Sequence, residues 1–270
     1  MNKENTYAKK RLIFSFYAFD GYNDNMAIKL HLQCLKHYAN VFDEALFVIL
    51  VDDINNKDLV NEIKKKLIDC GFNDISFKVR KNTGYCEAKT FLDEIVCNMK
   101  YLDGLTFFGH TKGSTNVQNK DAVIESIEAW ILGMYFLNLE YIDEVESTLT
   151  DMGERFFGAF LSCFPYSKNK YRQYNGTFYW LNCLAIYDDY KSGWIEIPKS
   201  IDNRGFAERF PFTLYKDSTV RYGSHGCFFI IDPDNFYRNS HNLIKFLLDD
   251  VDRYEQFKNN ILKNIQNNNE

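Results

Sequence analysis

The first 110 residues switch repeatedly between two hydrophobic periods. Arg11-Leu12-Ile13-Phe14-Ser15-Phe16-Tyr17, rich in β-branched and aromatic residues and closed by the turn-forming Asp20-Gly21-Tyr22-Asn23, predicts a first strand. From Asn25 to Val41, Met26, Ile28, Leu30, Leu32, Leu35 and Tyr38 recur at roughly helical spacing, which predicts a helix. Ala45 to Val51 is continuously apolar and ends at Asp52-Asp53, the mark of a strand covered on both faces. Leu59, Ile63, Leu67 and Ile68 outline a second helix that stops near Gly71, a suitable C-cap. Ile75 to Val79 alternates as a third strand, Ala88 to Met99 reads as a helix, and Leu105-Thr106-Phe107-Phe108-Gly109 is a fourth strand that stops abruptly at His110-Thr111-Lys112-Gly113-Ser114.

Strand and helix alternating at this spacing imply parallel strands with right-handed crossovers. In such a sheet the polar clusters after the four strands share one edge, and ligands bind outside the carboxyl ends of the strands. An imidazole, an ammonium and two glycines at His110 to Gly113 suit an anion there, phosphate above all; a solvated loop after a core strand is the simpler reading. Val123 to Leu149 is a long amphipathic segment of one or two helices. After it the regularity ends: Phe156 to Leu161 and Thr177 to Leu181 read as strands, with a polar loop at Pro165 to Gln173, and Leu243 to Ile265 returns to a helical pattern before an Asn-rich end. The expected division is a flexible stretch at 1–10, one α/β domain over 11–240 and a C-terminal helix with a frayed tail over 241–270.

Composition narrows the function classes. With 46% hydrophobic and 17% aromatic residues and only 4 Pro and 14 Gly, the chain is globular rather than low-complexity. A net charge of −5 offers no basic footprint for nucleic acid, so an anionic ligand needs a local site. The seven cysteines lack any C-x-x-C spacing, which favours a reducing cytoplasm over a structural zinc; none is flanked by the electropositive residues that activate a thiolate. No run of about 18 apolar residues occurs, so membrane contact is expected to be peripheral at most.

Four local patterns, in order, resemble those of a bacterial polysaccharide glycosyltransferase group that includes rhamnan-synthesis-type proteins: Asn82-Thr83-Gly84-Tyr85-Cys86-Glu87 before a helix, His110-Thr111-Lys112-Gly113 at a strand end, Trp130 on the next helix, and Asn175-Gly176-Thr177-Phe178-Tyr179-Trp180 on a later strand. An acidic residue, Glu208, follows the last of them. The resemblance spans roughly residues 11 to 230 and implies a GT-A-like α/β fold, a Rossmann-like mostly parallel sheet with a nucleotide-sugar half at 11–120 and a mixed acceptor half at 150–230. The group's Asp is here displaced and replaced by Glu87, and Thr177 stands where it has Asn. No Asp-x-Asp follows the fourth strand, where metal-dependent GT-A enzymes place it, and His110-Thr111-Lys112 occupies that position.

The implied activity is transfer of a sugar from a nucleotide-sugar donor to a hydroxyl of a growing surface glycan, such as capsule or O-antigen, on an oligosaccharide or lipid-linked acceptor at the inner face of the membrane. Charge gathering on a departing diphosphate needs a positive partner, for which Lys112 and His110 stand ready, with the backbone N–H groups near Gly113. Glu208 is the candidate base for the acceptor hydroxyl, against a plain salt bridge to Arg204 or Arg209. Asp52, Asp53, Asn82, Gly84, Glu87 and His225 are candidates for the donor; helix capping by the aspartates and a positive φ at Gly84 are the simpler explanations. Trp180, Tyr179 and Asn175 are candidates for the acceptor sugar. His110 and His225 are the candidate ligands if Mn2+ or Mg2+ serves. Two other classes fit the same rim: a non-catalytic nucleotide-sugar-binding protein, and a nucleotidyltransferase or phosphate-ester hydrolase.

Overall fold

In a computed structural model the described residues are 8–111, 121–159, 161–163, 172–174, 177–201, 205–215, 227–229 and 250–267; side chains are described for these except 121–126, 161–163, 172–174 and 227–229. The chain begins with β1 (Lys10–Ala18), α1 (Met26–Tyr38), β2 (Glu44–Val51), α2 (Lys57–Ile68), β3 (Ile75–Lys81), α3 (Cys86–Glu94) and β4 (Leu105–His110). The predicted α1 and α3 are each shorter than the periodicity suggests, because the chain tightens into 3-10 turns at Ala39–Val41 and Val96–Tyr101. Then come α4 (Asp121–Leu139), α5 (Ile142–Thr150), β5 (Phe156–Gly158), β6 (Leu161–Cys163), β7 (Arg172–Tyr174), β8 (Tyr179–Leu181), α6 (Cys183–Lys191), α7 (Phe206–Leu214), β9 (Cys227–Phe229) and a last helix, α8 (Val251–Asn267).

The main sheet has six strands in the order β3-β2-β1-β4-β8-β5. β1 pairs in parallel with β2 and β4, β2 in parallel with β3, and β8 runs antiparallel to both β4 and β5. It is an α/β architecture with a mostly parallel sheet flanked by helices, consistent with a GT-A-like domain. The predicted single strand over Phe156 to Leu161 is divided: β5 joins the main sheet, while β6 joins a small sheet of order β7-β6-β9. β7, β9 and the helices α6 and α7 are not among the elements expected from the sequence.

The strand order explains the layers. Moving from β1 through β2 to β3 in one direction, right-handed crossovers put α1 and α2 on one face; the return to β4 on the far side of β1 puts α3 on the other. Alternating side chains of each strand serve the two faces. Leu12, Phe14 and Phe16 of β1 and Phe47 and Ile49 of β2 pack with α1, α2, α4 and α8, whereas Ile13, Phe108, Tyr179 and Leu181 pack with α3, α6 and α7. The reversal lies between β1 and β4, the topological switch point where open α/β sheets bind ligands.

The Asn-rich end beyond residue 267, the start of the predicted C-terminal helix and most of the expected flexible stretch at 1–10 lie outside the described residues. Lys10, at the end of that stretch, already belongs to β1.

Candidate functional site

The carboxyl ends of β1, β2, β3 and β4 lie side by side, and the polar residues there are laced together. Asn82, just past β3, donates its amide to Asp52 Oδ1 at 3.1 Å. Asp52, just past β2, also accepts the Tyr17 hydroxyl at 3.0 Å. Tyr17 sits near the end of β1, and its backbone N–H donates to Thr111 Oγ1 at 2.9 Å; the Thr111 N–H donates to the Ser15 carbonyl at 3.1 Å. Thr111 follows His110, whose Nδ1 stands 3.3 Å from Glu87 Oε2. Glu87 in turn accepts the Thr177 hydroxyl. A continuous polar line thus crosses the sheet edge from β3 to the chain entering β8.

Local geometry accounts for each position. Asp52 and Asp53 were alike in sequence and differ in structure: Asp53 Oδ1 closes a tight turn by accepting the Asn55 N–H at 2.9 Å, and the cap of α2 is Asn56, which accepts from Leu59 N at 3.1 Å. Asp53 therefore serves the loop, leaving Asp52 as the rim carboxylate. Burial first, and then the Asp52 carboxylate, push the Tyr17 phenol above its ordinary value, so its O–H remains a neutral donor. Gly84 has φ +77 with nothing within 4 Å of a would-be Cβ, so its turn conformation is what calls for glycine. Gly109 is glycine for space: a Cβ there would meet Phe14 Cε2 at 3.0 Å and Phe178 Cε1 at 3.2 Å, which is how β4 threads between two rings just before His110.

Glu208 lies in the first turn of α7 and is partly buried. Its helix is fixed on the α3 face of the sheet by Phe206 and Phe210, whose rings stand 6.2 and 5.0 Å from that of Phe91, and by the Tyr179 hydroxyl, which donates to the Ala207 carbonyl at 2.7 Å. The neighbouring Arg209 turns its Nε back to the Gly205 carbonyl at 3.4 Å.

Two expectations for the acceptor sugar are overturned. Trp180 and Tyr179 are both fully buried. The Trp180 indole stacks on Phe42 at 5.6 Å, packs against Phe107 at 5.1 Å and donates to the Asn138 carbonyl at 2.9 Å. With their faces and polar tips used inside the core, these side chains hold α4 and α7 to β8 and present no platform to a sugar. Asn175, Lys112, Gly113 and His225 lie outside the described residues. Among the described residues no group of three or more His, Cys, Asp or Glu side chains could hold a metal ion; of the two candidate metal ligands, His110 stands beside Glu87 and His225 lies outside the described residues. Among them, too, no helix is long and apolar enough to cross a membrane.

Sequence reasoning missed Tyr17 and Thr177. Tyr17 closes an apolar strand and reads as part of it; its position beside Asp52 depends on the β1–β2 register, which pairs Tyr17 with Leu50. Thr177 has φ +56, a conformation the adjacent Gly176 would have been expected to take.

No protein-family profile matches the chain, and no curated protein matches it. Among solved structures, the crystal structure of S. aureus TarS 1–349 is similar at 14% identity and a TM-score of 0.36, over 94% of this chain and 69% of that one. A likeness at that level carries nothing about chemistry.

Proposed function

We propose that the protein is a glycosyltransferase, moving a sugar from a nucleotide-sugar to a hydroxyl of a growing surface glycan on the cytoplasmic side of the membrane. The observation that supports it most is the hydrogen-bonded line Asn82–Asp52–Tyr17–Thr111 leading to the Glu87–His110 pair, because it sets a hydrogen-bonding end and a charge-bearing end along one crevice at the switch point. Asp52, as an acceptor, and Asn82 would read the nucleoside. His110, with Lys112, would face the diphosphate.

In the reaction the bond between the anomeric carbon and the diphosphate oxygen breaks and its electron pair leaves with the diphosphate. The acceptor oxygen bonds the same carbon, and in the inverting form of this reaction its proton passes to Glu208. Negative charge grows on the leaving oxygens, so fixed positive groups stabilise the transition state more than the ground state. The four sequence patterns that resemble polysaccharide glycosyltransferases support the same reading.

Incubation with UDP-, GDP- and dTDP-sugars and an oligosaccharide acceptor, with and without Mn2+, followed by mass spectrometry, tests the proposal. A product heavier than the acceptor by one sugar is expected. Calorimetric binding of a donor without any product would instead mean a binding module, and nucleoside monophosphate released with intact sugar phosphate would mean a hydrolase or nucleotidyltransferase.

A further inference from the structure

His110 is held from two elements that the sequence does not connect. The β4–β8 pairing ends at Phe108↔Tyr179, and just beyond it His110 on one chain segment and Thr177 on the other both meet Glu87. Glu87 enters from a third element, the first turn of α3, where the unpaired N–H groups of the helix favour a negative side chain. One of its carboxylate oxygens accepts the Thr177 hydroxyl and the other stands 3.3 Å from His110 Nδ1. Thr177 is fully buried and keeps φ +56, a conformation that opposes a β-branched side chain. Glycine would sit there without strain but has no hydroxyl to give Glu87. The His110 imidazole is largely covered, its side chain 12% exposed, and its ring lies 6.1 Å from that of Phe178.

We infer that Glu87 is a positioning residue for His110: braced by the strained Thr177, it takes the Nδ1–H of the ring, fixes that tautomer, and commits Nε2 as the nitrogen through which His110 addresses its ligand. A carboxylate behind an imidazole orients the ring and stabilises its protonated form. What His110 then does to a leaving diphosphate rests on the glycosyltransferase reading; how the ring is held rests on the geometry alone. Glu87 thereby acts through His110, and the replacement of an Asp by a Glu one position further along the helix is a change of reach rather than a lost contact to the donor.

The direct test is nitrogen-15 NMR of histidine-labelled wild-type protein at a pH where His110 is neutral, assigned with His110→Gln. The expected spectrum shows His110 protonated at Nδ1, against the intrinsic preference of a histidine side chain for Nε2–H. Glu87→Ala should return the ring towards the Nε2–H form, and Thr177→Val should do so in part. In sugar transfer, Glu87→Ala should lower kcat about 10- to 100-fold, the range for loss of such an orienting partner, with donor KM changed less than about threefold and partial recovery in Glu87→Asp. An Nε2–H tautomer in the wild type overturns the inference. An Nδ1–H tautomer that survives Glu87→Ala overturns it as well. Nδ1–H in the wild type, lost in Glu87→Ala, in a protein that transfers no sugar from any donor would uphold the pairing and sink the glycosyltransferase reading instead.

Discussion

At the scale of single residues, the carboxylates of this chain separate by what they touch. Asp53 and Asp52 are adjacent, yet one closes a turn and the other meets Tyr17 and Asn82. Replacing Asp52 with Ala leaves Tyr17 and Asn82 without their shared acceptor and removes the acceptor proposed for the nucleoside. About tenfold weaker nucleotide binding is expected, the order of one charged hydrogen bond, and isothermal calorimetry reads it; unchanged affinity would move the nucleoside elsewhere. In the proposed reaction Glu208 serves the chemical step rather than donor binding. Glu208→Gln should therefore lower kcat by about 100-fold or more while nucleotide affinity stays within twofold, and a variant that turns over normally would return Glu208 to a structural role on α7.

At the scale of elements, the aromatic run of β8 is structural. Trp180→Ala removes an indole stacked on Phe42 and its bond to the Asn138 carbonyl, so a loss of about 3–5 kcal/mol of stability is expected, measured by urea unfolding. Sugar-acceptor KM in the folded fraction should hardly change; a selective rise in that KM with full stability would reinstate Trp180 as an acceptor contact. The opposite end of the sheet is pinned by charge. Arg11 of β1 pairs with Glu44 of β2 and, at 3.1 Å, with Asp103 before β4, and Lys9 reaches Glu44 at 2.5 Å. Burial alone would raise the Glu44 carboxyl, but the hydrogen bonds from Lys9 and Arg11 outweigh it and hold it below its ordinary value; the Arg11 hydrogen bond does the same for Asp103. A carboxyl lowered in the folded state adds stability above its unfolded pKa, about 4.3 for Glu, and that stability is lost as pH falls through the folded value. The urea midpoint of the wild type should thus fall more steeply than that of Glu44→Gln below about pH 4.3, and parallel curves would contradict the assignment.

The same scale shows why some elements were legible in the sequence. β1, β2 and β4 are buried on both faces, so their apolar runs have a single explanation, and the polar stops after them mark the sheet edge where Asp52 and Thr111 meet Tyr17. α7 was hidden because Pro211 interrupts its interior, although Phe206, Phe210 and Leu214 keep the i, i+4, i+8 spacing that buries one face. β7 and β9 are three residues each, too short for any period to show. Trp180 was misread for a different reason: an aromatic run fits a core and a sugar platform equally well, and only burial separates them. Glu87 was legible as a rim residue, but its partner Thr177 was not, because a positive φ at a β-branched residue is imposed by tertiary contacts rather than by local preference.

At the scale of the whole molecule, two apolar layers clamp the sheet from both sides, with α1, α2, α4 and α8 on one face and α3, α6 and α7 on the other. That construction leaves the edge of the sheet as the place where polar groups gather, and the reversal of strand order between β1 and β4 opens it there. The small β7-β6-β9 sheet lies beside α7, which runs along β7. The central claim is that this one rim takes a nucleotide-sugar, and a crystal of the protein soaked with the donor nucleotide that calorimetry selects tests it most directly. The expected density has its nucleoside within hydrogen-bond distance of Asp52 or Asn82 and its diphosphate at His110 and Lys112; a nucleotide bound away from the carboxyl ends of β1 to β4 would contradict the claim.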